Sequence, residues 1–151
     1  MVSKQCWENM IERILHNEQL ISIIIKSQFH AEGIKFFTPD EFSQQLAYMN
    51  REKGYIVPPH VHNSVEREVS LTQEVLFVRS GKVRVDYYDD DKNYLESRML
   101  NQGDVVLLAS GGHGFYMCED SELIEVKQGP YSLAKDKVKF EKIDEKKIKV
   151  K

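Results

Sequence analysis

Short runs of β-branched and aromatic residues alternate with turn signals between residues 74 and 127, and this alternation most limits the possible fold. The runs recur about every ten residues, and stretches rich in glycine, aspartate or serine separate them. The predicted strands are residues 74–79, 81–88, 94–100, 104–109, 114–118 and 123–127. Strands of this length and spacing are typical of sandwiches and barrels, so the sequence predicts an all-β domain.

The amino-terminal half gives weaker signals. Apolar residues three and four apart within residues 1–19 predict a short amphipathic helix; they are Trp7, Met10, Ile11, Ile14 and Leu15. The isoleucine-rich residues 20–29 favour a strand. Thr38 and Pro39 form a helix start signal. That helix could run to Lys53, or it could end near Ser43 and give way to a strand over residues 45–50.

The length of 151 residues fits one domain with short appendages. We expect a helical extension over residues 1–19, a β-barrel over 20–134 and a lysine-rich strand or tail over 135–151. The tail holds eight lysines and four acids and so has a net charge of +4. Because the net charge of the whole chain is −3, residues 1–134 have a net charge of −7. A basic tail can bind anions or a partner, although lysines commonly only keep a chain end soluble.

Charge and composition also exclude several classes of protein. A net charge of −3 gives no basic field for phosphate backbones, so we expect no nucleic-acid partner. No apolar run approaches the length of a membrane span, so we expect no membrane partner. The two cysteines, Cys6 and Cys118, do not form a disulfide framework. We therefore expect a cytoplasmic protein with reduced thiols.

Histidines and one glutamate form the pattern that carries chemistry. His60 and His62 are two residues apart, so in an extended segment their imidazoles point to the same face. Glu74 opens the next predicted strand, and His113 follows two glycines that allow the chain to bend. Three nitrogens and one carboxylate suit a divalent transition metal such as Fe, Mn, Ni or Zn, and leave a position for substrate.

These residues lie in the segments HVH, QEVLFVRSG and GDVVLLASGGHGF, which resemble the two motifs of the cupin superfamily, in particular its small single-domain metal-binding members. The resemblance implies a double-stranded β-helix, or jelly-roll barrel, and a homodimer. It also implies that His60, His62 and Glu74 are metal ligands from the first motif and that His113 is the ligand from the second.

The sequence departs from the family pattern at two places. Eleven residues separate His62 from Glu74, whereas Glu66 has the usual spacing. We prefer Glu74 because a strand and Gly81 follow it at the expected distance. The segment before His113 lacks the common proline and is one residue short, and Met117 stands where the family often has asparagine.

The side chains around such a metal suggest a binding site for a small molecule. If Glu74 points inward, alternate residues of the neighbouring strands line an apolar pocket. The candidate substrate contacts are Tyr48, Tyr55, Phe115, Met117, Glu125 and Lys127.

The resemblance implies a metal-dependent isomerase or epimerase of a small molecule, such as a sugar derivative of bacterial surface-carbohydrate biosynthesis. The alternatives are a mononuclear metal oxygenase and a ligand-binding or sensor protein without catalysis. The sequence assigns no catalytic residue beyond the ligands.

Overall fold

The computed structural model describes residues 10–130, 132 and 136–151, and these residues are almost entirely strands and loops. They form two compact units. The sandwich unit consists of the described residues of Met1–Phe29 and Leu71–Lys151, and the hairpin unit is His30–Ser70. The strands are β1 Ile11–His16, β2 Gln19–Ile25, β3 Gly33–Phe36, β4 Ala47–Asn50, β5 Glu74–Ser80, β6 Lys82–Tyr88, β7 Tyr94–Asn101, β8 Val105–Leu108, β9 Gly112–Met117 and β10 Glu122–Lys127.

The sandwich unit contains two antiparallel sheets. The larger sheet has the strand order β1-β2-β8-β5-β10, and the smaller has the order β7-β6-β9. Their inner faces share one hydrophobic core, to which β1, β2, β5 and β8 contribute from one sheet and β6 and β7 from the other. In the hairpin unit, β3 and β4 form a third sheet. The all-β prediction is therefore correct, and none of these described sheets closes into a barrel.

A buried hydrogen bond joins the two sheets of the sandwich. The Ser22 hydroxyl on β2 donates to the Leu107 carbonyl at 2.8 Å, and it lies 3.1 Å from the Tyr87 hydroxyl on β6. Because the serine proton is already used, the Tyr87 hydroxyl donates to Ser22. Both residues are fully buried, and each finds a partner for its polar atom.

The strands predicted between residues 74 and 127 agree with β5–β10 to within two residues at each end. Turn chemistry explains this agreement. Gly81 and Gly103 have φ values of +84° and +86°, which glycine adopts without a steric penalty. Asp104, after Gly103, accepts hydrogen bonds from the Ser27 and Asn101 amides and so fixes the turn before β8.

The predicted amino-terminal helix is wrong in its described part. Residues 1–9 lie outside the described residues, and residues 11–16 are β1 instead of helix. β1 pairs with β2 through a tight turn in which Asn17 and Glu18 have φ values of 47° and 65°. Pairing with the isoleucine-rich β2 buries Ile14. The apolar residues of so short a segment fit a strand as well as a helix, and the pairing with β2 decides in favour of the strand.

The start signal at Thr38 does not begin a helix. The Thr38 hydroxyl donates to the Gln45 side chain at 2.7 Å and accepts from the Leu46 amide at 3.2 Å, so it stabilises a loop instead. β4 follows and pairs with β3. Both alternatives for residues 38–53 included a helix, which is wrong; only the strand expected over residues 45–50 agrees with the structure, as β4.

The described part of the carboxyl-terminal tail packs on the outer face of the smaller sheet. The Phe140 ring meets the Tyr88 ring edge to face, with centroids 5.0 Å apart, and the Ile143 amide donates to the Tyr88 hydroxyl. After a short 3₁₀ helix, Glu145–Lys147, Val150 forms a parallel bridge with Ser97. No helix among the described residues has the length and apolarity needed to cross a membrane.

Candidate functional site

The strand register places several polar side chains on the inner face of the sandwich. Glu74 pairs with Lys127, and the next inward pair along the same strands is Leu76 with Glu125. On the smaller sheet, His113 pairs with the buried Tyr87. Because directly paired residues point to the same side of a sheet, all these side chains point toward the core side. β9 and β10 are the last strands of their sheets, so the polar group lies near an open edge.

Glu74 is the centre of this polar group. Its Oε2 accepts a hydrogen bond from His113 Nε2 at 3.2 Å, and its Oε1 lies 3.4 Å from Lys127 Nζ. Lys127 also contacts Glu125 at 2.9 Å. The Glu74 side chain is 13% exposed and that of His113 is 28% exposed, so the pair is shielded but accessible. The Phe115 ring lies 5.4 Å from the His113 ring, between centroids, and gives the site an apolar wall.

These contacts keep Glu74 ionised. The hydrogen bond from His113 lowers the pKa of Glu74 to about 2, against the opposite effect of burial, and the charge of Lys127 adds to the lowering. The hydrogen bond to Glu125 raises the pKa of Lys127. The site therefore presents a carboxylate anion, an ammonium group and an imidazole within a few ångströms of each other.

The structure brings together several residues that the sequence singled out. Glu74, His113, Phe115, Glu125 and Lys127 share the inner face. Met117 lies on the same face of β9, because it pairs with the buried Val83, but it is 47% exposed at the end of the strand.

The other predicted site residues belong to the hairpin unit. The His60 and His62 rings contact each other at 5.2 Å between centroids, and His60 Nδ1 lies 2.9 Å from the Pro58 carbonyl. Tyr48 is part of β4. Tyr55 lies under the Arg51 guanidinium and borders a cavity of about 710 Å³. That His60 and His62 share one ligand set with Glu74 and His113 stays a prediction from the sequence.

The separation of Glu74 Oε2 and His113 Nε2, which is that of a hydrogen bond, is also a distance that two ligands of one metal ion can have. Ligand atoms at about 2.1 Å from an ion, at angles between square and tetrahedral, lie about 3.0–3.4 Å apart. The observed separation of 3.2 Å falls in this range. In the part of the chain that the structure describes, no group of three or more His, Cys, Asp or Glu side chains is arranged to hold a metal. The observed pair is thus two of the four predicted ligands.

No family model matches this chain, and no curated protein or solved structure matches it significantly. The fold and the site define the class only as an all-β protein of antiparallel sheets with a half-buried histidine–glutamate pair at a sheet edge. Membership of the cupin superfamily stays a prediction from the motifs.

Sequence reasoning missed a second group of residues, on the outer face of the smaller sheet. Arg84 donates to Asp86 at 2.8 Å and to Glu145 at 3.0 Å, and Ser97 donates to the same aspartate. The alternation of apolar and polar residues along β6 indicated that Arg84 and Asp86 face outward. However, the partner that covers them, the tail, has no periodic pattern that would have revealed this contact.

Proposed function

We propose that this protein binds a small organic molecule at the inner-face site, through a divalent transition metal that Glu74 and His113 help to hold. The observation that carries the proposal is the 3.2 Å contact between the carboxylate and the imidazole, on the core side of two edge strands. The sequence motifs support it by adding His60 and His62 as expected ligands, with Fe, Mn, Ni or Zn as the expected metal. The fold proposed with this function is a jelly-roll variant of the cupin type.

The residues around the pair suggest how a substrate is bound. A metal at this position would polarise a carbonyl or hydroxyl oxygen of the substrate. Lys127 offers a cation to a second oxygen, Glu125 offers an acceptor to a hydroxyl group, and Phe115 offers an apolar surface. A sugar derivative combines these features, so the proposed reaction is an isomerisation or epimerisation.

Metal analysis of purified variants tests the proposal. We expect Glu74→Gln and His113→Ala to lose most of the metal that the wild-type protein retains, because each removes one ligand. His60→Ala should also lose metal. Glu66→Gln is the matched control, since Glu66 is an exposed carboxylate in the preceding loop. Full metal retention in both Glu74→Gln and His113→Ala would refute the proposal, and a greater loss in Glu66→Gln would assign the carboxylate ligand to Glu66.

The same contact also favours a second candidate, acid–base catalysis without a metal. An ionised carboxylate that accepts from an imidazole fixes the orientation and tautomer of the ring, and the ring can then exchange a proton with a substrate. A chelator separates the two candidates. Turnover of a sugar derivative that survives metal removal, but not His113→Ala, would favour the acid–base pair.

Two further readouts address the remaining alternatives. Oxygen consumption that accompanies substrate loss would indicate a mononuclear oxygenase, whereas tight metabolite binding without turnover would indicate a sensor or binding protein. We also propose a homodimer, on the strength of the family resemblance, and sedimentation of the purified protein tests it.

A further inference from the structure

A cavity of about 460 Å³ lies between the smaller sheet and the described tail residues 136–142. Its floor is the outer face of β6 and β9. Tyr88 pairs there with Gly112, and Asp86 pairs with Gly114. The volume falls in the range of cavities that hold small organic ligands.

Glycine residues and aromatic rings shape this cavity. A Cβ atom built on Gly114 would meet no atom within 4 Å, so the space above this residue is open. A Cβ atom on Gly112 would approach the Phe140 ring to 3.0 Å, so Phe140 lies close to the strand there. Phe140 and Tyr88, packed edge to face, offer an aromatic surface beside the open space.

Positive charge surrounds the cavity. Lys137, Lys139 and Lys142 line it, together with a single acid, Asp136. The Asp136 carboxylate already accepts from the Ser132 amide at 2.9 Å, and Lys142 binds Glu145 at 3.2 Å. The ion pairs within the described part of the chain include neither Lys137 nor Lys139. Two ammonium groups at the cavity thus have no acidic partner among the described residues.

We propose that this cavity binds a small organic anion. Its carboxylate or phosphate group would bind Lys137 and Lys139, and a flat or apolar portion would lie over Gly114 against Phe140 and Tyr88. Ammonium groups form charge-assisted hydrogen bonds with such anions, which are about twice as strong as neutral ones. Gly112 and Gly114 pair with Tyr88 and Asp86 on the outer face of the smaller sheet, whereas His113 pairs with the buried Tyr87. His113 also borders the cavity, so the two sites adjoin each other at this residue.

Titration with simple aromatic anions tests the proposal. Phenyl phosphate and benzoate are the probes, benzyl alcohol is the neutral control, and binding is followed by nuclear magnetic resonance shifts of the Gly112 and Gly114 amides. We expect at least one anion to bind and the alcohol to bind about tenfold more weakly or not at all. The stronger of the two anions shows whether the site prefers phosphate or carboxylate. Absence of binding by both anions at millimolar concentration would overturn the proposal.

Variants of the lysines and of the cavity floor complete the test. Lys137→Ala/Lys139→Ala should weaken anion binding about tenfold or more, since two charge-assisted contacts are lost. Lys146→Ala/Lys147→Ala, in the same tail but outside the cavity, should bind like the wild-type protein. Gly114→Val should fill the cavity and abolish binding without lowering the thermal midpoint. Equal weakening by both lysine pairs, or unchanged binding by Gly114→Val, would overturn the proposal.

Discussion

Glu74 has the most constrained side chain of the inner-face site. The hydrogen bond and the charge of His113, together with the charge and the hydrogen bond of Lys127, favour the ionised form of Glu74, and its own burial opposes them. The favourable interactions outweigh burial, which is why the pKa falls to about 2 from the ordinary 4.5. A folded-state pKa below the unfolded value means that the ionised carboxylate stabilises the fold above about pH 4.5.

This stabilisation should disappear as the pH falls from about 4.5 toward 2. One pKa unit corresponds to about 1.36 kcal/mol, so the contribution of Glu74 has an upper bound of about 3 kcal/mol. Urea unfolding of chelator-treated protein at several pH values measures it. Glu74→Gln should give a flatter profile than the wild-type protein over this window, and Glu66→Gln should follow the wild type. Parallel profiles for the wild type and Glu74→Gln would contradict the expected coupling.

At the residue scale, the sequence allowed Glu74 to be preferred to Glu66 because a strand and a glycine follow it. The structure places Glu74 at the start of β5 and beside His113, and its choice as the metal ligand stays a prediction. Lys137 and Gly114 could not be recognised in the same way. They belong to one cavity only because the tail packs against β9, which is far away in the sequence. The sequence pattern around a single residue does not predict such a long-range contact.

Among the elements, the turn between β5 and β6 is the most tightly constrained. Gly81 has a φ of +84°, and a Cβ atom there would lie 2.3 Å from the Asp120 carbonyl oxygen. Both the backbone conformation and the space therefore require glycine. This turn leads the chain from the larger sheet to the smaller one, because β5 belongs to the first and β6 to the second.

Gly81→Ala should lower the free energy of unfolding by at least about 2 kcal/mol, since the new methyl group adds backbone strain and a clash with a carbonyl. Gly114→Ala is the matched control. Gly114 has open space and no positive φ, so alanine there should leave stability unchanged or raise it by up to about 1 kcal/mol. Chemical denaturation of both variants measures the difference. A similar loss in both would mean that the turn is not the constraint.

Element type was predictable where turn chemistry and alternation agreed, as in β5–β10. It was not predictable for β1, because Ile11, Ile14 and Leu15 fit one helix face while the same six-residue segment can equally pair as a strand. The deciding factor was the neighbouring strand β2, whose register with β1 buries Ile14 and leaves Leu15 exposed. Tertiary pairing of this kind overrides short-range spacing.

At the scale of the whole sandwich unit, the described tail acts as a cover for one sheet. Arg84, itself buried, binds Asp86 and Glu145, and these hydrogen bonds raise the pKa of its guanidinium. Tyr88 is 4% exposed and has Phe140 against its ring. Removal of the tail would expose this aromatic surface and free the arginine of one partner.

Deletion of residues 137–151 should therefore destabilise the whole sandwich unit, by at least about 2 kcal/mol, which is the cost of exposing one large aromatic side chain. Glu145→Ala should lower stability much less than the deletion does, because that carboxylate is exposed and its ion pairs are screened by water. Thermal unfolding followed by circular dichroism compares the two variants. An unchanged midpoint in the truncated protein would show that the tail contributes nothing to stability.

The overall class was predictable, because many short strands need either a sandwich or a barrel to bury their apolar faces. Which of the two forms could not be decided from spacing, since closure depends on pairing between strands far apart in sequence. Most of the inner-face site was predictable for a different reason. Residues two apart on a strand share a face, so placing Glu74 inward also places its neighbours on the same side.

Tyr87, which donates a hydrogen bond to Ser22 between the two sheets, allows the ionisation of a buried phenol to be followed by ultraviolet absorbance. Burial raises the pKa of the Tyr87 phenol, and the protein has seven tyrosines, so in an alkaline titration this phenol should remain un-ionised after exposed tyrosines have become phenolates. Its delayed ultraviolet absorbance change would then mark the pH at which water first reaches the space between the sheets. Tyr87→Phe would remove the delayed signal and identify its source.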